Sequence, residues 1–117
     1  MEYAFLIYMD EKAEGTPTQV GQMSAAHAAY SQMLVDHGVL RGGSRLNTTD
    51  TATLVRLGSD GSERLVTDGP YAETKEQLGG FYLVDCSDLD KALEYARQLP
   101  LGPGASVEVR PTIEMTG

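Results

Sequence analysis

Two stretches of this chain are apolar at nearly every position: Tyr3-Ala4-Phe5-Leu6-Ile7-Tyr8-Met9 and Phe81-Tyr82-Leu83-Val84. Each is short, rich in aromatic and β-branched residues, and closed by acidic residues at Asp10-Glu11 and Asp85, so both read as strands. A strand with one wet face alternates apolar and polar side chains, whereas a strand apolar throughout needs cover on both faces of its sheet. A single amphipathic helix follows each run. Two helices can cover one face, and the other face must be covered by something else.

The first helix is expected from Pro17 to about His37, where Val20, Met23, His27, Tyr30 and Leu34 recur at three- and four-residue spacing. Thr16, Pro17 and Gln19 make a capping-box start, and Gly38 is the stop. His37, in the last turn, suits the negative end of the helix dipole. The second helix is expected to be capped by Ser87 with Asp90 three residues on, and to bury Leu89, Ala92, Leu93, Ala96 and Leu99 before Pro100, Gly102, Pro103 and Gly104 break it. Between the helices, Val39 to Gly43 reads as a connection and Ser44 to Asp50 as a polar, turn-rich segment. Ala52–Leu57 and Glu63–Thr67 then flank Gly58–Ser62 as a β-hairpin. Ser106 to Arg110 alternates as a last strand before Pro111, and the tail from Thr112 to Gly117 is placed to extend an edge or cross to a partner.

That order defines one α+β domain over residues 1–117, a ferredoxin-like split βαβ with an added central β-hairpin. The simplest cover for the second sheet face is another copy of the chain, packed sheet to sheet as a homodimer that could enclose a cavity.

With 117 residues, 41% of them apolar, the chain can bury a core without staples. Nine basic against seventeen acidic residues give a net charge of -8, which disfavours nucleic acid and anionic membrane surfaces as partners. The longest apolar run, Ala4 to Met9, is far short of the ~20 residues of a membrane helix. The lone cysteine, Cys86, cannot form an internal disulfide, and a cytoplasmic location is expected.

Polar chemistry concentrates between Thr67 and Tyr82. Asp68-Gly69-Pro70 is a turn that must stop a strand near Thr67; Glu73-Thr74-Lys75-Glu76-Gln77 is too polar for a core and suits the rim of a cleft; Gly79-Gly80 lets the backbone bend or approach another chain closely before a strand begins at Phe81. His27, on the inward stripe of the first helix, is the candidate general acid or base, because imidazole titrates near neutrality; the competing role is that of a satisfied core histidine. Asp68 is the candidate acid partner, expected within about 10 Å of it, the reach of a bridging water. Tyr8, Asp68, Tyr71, Glu73, Lys75 and Tyr82 are the candidate ligand contacts, expected at the mouth of one cavity shared with His27. Two histidines about three helical turns apart make a poor metal set, and no glycine loop leads into a helix to hold a phosphate, so neither metal nor cofactor is expected.

The Asp68-Gly69-Pro70-Tyr71 block running to Gly79-Gly80-Phe81, together with Ile7-Tyr8-Met9-Asp10-Glu11, Leu40-Arg41-Gly42-Gly43 and Val107-Glu108-Val109-Arg110-Pro111, resembles the DGPF branch of the YCII-related family nearly end to end, with Tyr71 where the name has Phe. The resemblance implies a ferredoxin-like subunit in a dimeric α+β barrel with a cavity. In the wider family a first-helix histidine pairs with an aspartate, and one relative is linked to removing chloride from an aromatic ring. His27 matches the histidine, but Leu99 stands before Pro100 where the aspartate is usual. Two functions follow from the resemblance: a ligand-binding accessory module, with association to a sigma factor, or a cofactor-free isomerase, lyase or dehalogenase-like enzyme using His27.

Overall fold

The computed structural model describes residues 1–13, 15–72 and 74–114. Among these residues six strands and two α-helices, with a 3-10 turn at Thr49–Thr51 before β3, follow in the order β1 (Glu2–Met9), α1 (Pro17–Asp36), β2 (Leu40–Arg45), β3 (Thr53–Leu57), β4 (Arg64–Asp68), β5 (Gln77–Asp85), α2 (Leu89–Arg97) and β6 (Ser106–Pro111). The main sheet is antiparallel with order β2-β5-β1-β6. β5 lies between the two strands joined by α1, and β1 between the two joined by α2, the doubly split βαβ arrangement of a ferredoxin-like fold. β3 and β4 form a separate two-stranded ribbon.

α1 starts and stops where its local signals place it. The Thr16 hydroxyl accepts from the Gln19 N–H at 3.2 Å, and the Gln19 side chain accepts from the Thr16 N–H at 2.8 Å. At the other end Gly38 takes φ 70°, with its N–H donating to Val35 and the Val39 N–H to Leu34, a Schellman close. α2 begins one residue later than expected: Asp88, not Ser87, is the cap, accepting from the Lys91 N–H at 2.9 Å.

Register sorts the sheet's side chains cleanly. Tyr3, Phe5 and Ile7 of β1, Tyr82 and Val84 of β5, Leu40 of β2 and Val107 and Val109 of β6 point to one face, where Tyr30 and Leu34 of α1 and Ala92, Tyr95, Ala96 and Leu99 close the core. Phe5, Leu34 and Val84 are fully buried, each stabilising by about 1.5–3 kcal/mol. The buried stripe of α2 is turned relative to expectation. Tyr95 is inside and Leu89 half exposed, because the Tyr95 hydroxyl meets His37 Nδ1 at 2.9 Å and its carbonyl accepts from the Tyr30 hydroxyl at 2.7 Å. His37 thus has a structural partner.

Two expected connections are strands instead. Leu40–Arg45 pairs with β5 across Gly42-Gly43, and β5 begins at Gln77 and continues through Gly79-Gly80, where its register against β1 shifts so that Gly79 has no partner. Both pairs of glycines sit where strands approach closely, and Gly79 also sits at the register shift of β5. A Cβ on Gly43, at φ 152°, would sit 2.6 Å from the Phe81 carbonyl oxygen, and one on Gly79 would sit 2.7 Å from Met9 Cε. On the opposite sheet face Ala4, Leu6, Phe81 and Leu83 form an apolar centre flanked by Gly42, Ser44, Glu108 and Arg110 on the edge strands, and no element among the described residues covers it.

Candidate functional site

Polar side chains gather at two places on opposite faces of the sheet. On the helix side, His27 of α1 stands over Tyr82 of β5: Nδ1 lies 3.2 Å from the phenol oxygen, with the rings 7° from parallel and centroids 6.4 Å apart. Ser31, one turn further along α1, places its hydroxyl 3.2 Å from the same phenol, and Tyr30 packs edge-on against the ring at 5.5 Å. Burial lowers the His27 pKa below its ordinary value, the Arg45 guanidinium lowers it further, and the Pro100 carbonyl opposes both. The imidazole is therefore neutral at neutral pH and bonded to a phenol, with no carboxylate among the described residues in its hydrogen-bonding set. Burial raises the Tyr30 pKa, so that hydroxyl stays a donor.

On the bare side, the parity of β1 and β6 turns Tyr8, Ser106 and Glu108 outward together. With Thr74, Lys75 and Glu76 of the loop entering β5 they line an open depression of about 660 Å³. A register shift between Ile7 and Tyr8 lets the strand end splay around it. Among the described residues no group of His, Cys, Asp or Glu could hold a metal ion, and no helix is long and apolar enough to cross a membrane.

The expected contacts are thus divided three ways. His27 and Tyr82 meet on the helix face, and Tyr8 and Lys75 meet on the bare face. Asp68 closes β4 opposite Thr53, and Tyr71 just beyond it lies under the Arg56 guanidinium at 5.5 Å, so both belong to the ribbon. Asp68 and His27 share no hydrogen bond, and Glu73 lies outside the described residues. The alternation of β1 separates Tyr8 from Tyr82: Tyr82 pairs with Phe5, which faces the helices, whereas Tyr8 has the opposite parity. Sequence reasoning missed Ser31, Ser106, Glu108 and Arg45. Ser31 was legible as His27 plus four on a helix, and Ser106 and Glu108 as the polar half of β6's alternation; nothing local marks Arg45, which joins His27 only through the edge pairing of β2.

The fold and this pair of polar clusters describe an α+β protein with a half-covered antiparallel sheet. The YCII-related domain model matches residues 1–116, and the chain belongs to the YCII-related family. A protein of Rhizobium meliloti (strain 1021), described as uncharacterized, is 42% identical over 119 residues, covering 95% of this chain and 91% of its own.

Proposed function

We propose that this chain is a homodimeric small-molecule-binding protein that holds a small polar ligand in the Tyr8 depression without chemistry of its own. The lining carries this reading. A phenol, two hydroxyls, an ammonium and two carboxylates surround a space within the volume range of ligand pockets, beside the apolar surface of Leu6 and Phe81. That mixture suits a ligand bearing both donor and acceptor groups, with an apolar body resting on the sheet. A second copy over the bare face would supply the missing wall and exclude water.

The test is a screen of small polar metabolites against isotope-labelled protein. Amide shifts should cluster at Tyr8, Ser106 and Glu108, and Lys75→Ala should weaken the best binder at least tenfold with the dimer intact. Shifts confined to Ser31, Arg45 and Tyr82 would reject this site.

A second reading, proton transfer by His27, is favoured by one observation: its imidazole is held neutral, as a base must be, and rigidly against Tyr82. In that case His27→Gln should abolish consumption of a screened compound while leaving its binding within threefold. Retained turnover would assign His27 to packing.

A further inference from the structure

We infer that the β3–β4 ribbon is an arm that clasps a second copy of this chain and closes that copy's Tyr8 depression, so that each binding site is built from two chains. This rests on the ligand-binding reading above and adds the source of the missing wall. The first support is surface. A compact monomer of 12.6 kDa exposes about 6,200 Å², whereas this chain exposes 8270 Å². The excess of about 2,000 Å² per chain, doubled for a pair, falls within the roughly 2,000–5,000 Å² that permanent homodimers bury.

Shape locates the excess. The radius of gyration is 16.5 Å against about 13 Å for a compact chain of this length, and the molecule measures 47 × 46 × 19 Å. It is only two layers thick. The ribbon packs into neither layer. On one of its sides Val55 and Val66 face each other across the ladder with Leu57 beyond them, and these side chains are 56%, 66% and 52% exposed. Arg56, on the other side, is stacked over Tyr71, which leaves the Val55–Val66 side apolar up to Arg64 at the tip.

The root is fixed while the tip is unpacked. The Gly69 N–H donates to the Ala52 carbonyl at 2.8 Å, and the Glu11 carboxylate accepts from both the N–H and the hydroxyl of Thr49 at 2.9 and 2.7 Å, in the turn leading to β3. Five-residue strands extend the ribbon about 17 Å from that root, close to the 19 Å thickness of one protomer. An arm of that reach can pass the edge of a neighbour and lie on its bare face. The occupant is a second copy because the chain exposes two apolar surfaces, the ribbon side and the Leu6–Phe81–Leu83 centre, and a two-fold axis covers each with the other twice over. The depression holds Glu76 and Glu108 against Lys75, a net negative lining for Arg64 at the tip to approach, although Glu108 is already paired with Arg110.

The experiment carries a nitroxide on Val66→Cys in a Cys86→Ala background, mixed with an equal amount of isotope-labelled chain without the label. The expected result is broadening of the Tyr8, Ser106 and Glu108 amides in the unlabelled-cysteine chain, which only a contact between chains produces. Val66→Asp, on a side chain that touches no core residue, should raise the dimer dissociation constant at least tenfold with the circular dichroism unchanged. A dimer that shows neither effect overturns the arm and leaves the ligand site standing. A monomer at the same concentration overturns both.

Discussion

His27 is the residue whose chemistry is most exposed to test. Its pKa is depressed in the folded chain, first by burial and then by Arg45, so protons bind the unfolded chain more readily. The stability this contributes is fully present above the unfolded value of 6.5 and is lost as pH falls from there through the folded pKa. Urea midpoints measured from pH 7.5 to 5 should therefore drop, and His27→Gln should flatten that part of the profile; an unchanged slope would mean that other groups set it. Tyr30 offers a cleaner stability measurement. Its hydroxyl is buried and donates at 2.7 Å to the Tyr95 carbonyl, which also accepts from the Gln98 N–H at 3.1 Å, so Tyr30→Phe removes one of two donors and should cost about 0.5–1.5 kcal/mol in denaturant unfolding. A cost well below 0.5 kcal/mol, on the order of a surface change, would show that the Gln98 N–H alone satisfies the carbonyl.

At the level of elements, the parts legible in the sequence are those fixed by contacts a few residues apart. The capping box at Thr16, the Schellman glycine at Gly38 and the hairpin across Gly58–Ser62 all close within six residues, and each formed where its residues point. β2 did not read as a strand because Leu40-Arg41-Gly42-Gly43-Ser44-Arg45 has poor β-propensity; its pairing depends on glycines that admit Phe81 and Tyr82 of a strand forty residues away. Likewise His27 could be placed on an inward stripe from spacing alone, but the separation of Tyr8 from Tyr82 depends on a register that no local signal gives. The glycines make this testable as a pair. Gly43→Ala must strain a backbone at φ 152° against the Phe81 carbonyl and should cost about 2 kcal/mol or more. Gly21→Ala, in α1 with nothing within 4 Å of the added methyl, should gain about 0.5–1 kcal/mol. Equal effects would remove the argument that β2 exists because its glycines permit it.

For the whole molecule the controlling balance is between an uncovered apolar sheet centre and a net charge of -8. The ion pairs among the described residues, Asp85 with the N-terminus and Arg41, Lys91 with Glu94, and Arg110 with Glu108, lie at the surface within one chain and hold no second copy. A homodimer would bring sixteen net negative charges together, so its attraction must come from apolar burial and its opposition from long-range repulsion. Salt screens the second and leaves the first, with a Debye length falling from about 30 Å at 0.01 M to about 3 Å at 1 M. Sedimentation at increasing sodium chloride should therefore show the dimer tightening, with a dissociation constant at least threefold lower at 0.5 M than at 0.02 M, and the melting temperature should rise with protein concentration. Leu6→Glu, which adds a charge at the centre of the bare face without entering the core, should abolish both dependences while the monomer keeps its secondary structure. A dimer that weakens as salt is added would instead be held by ion pairs between chains, and the apolar face would need a different occupant.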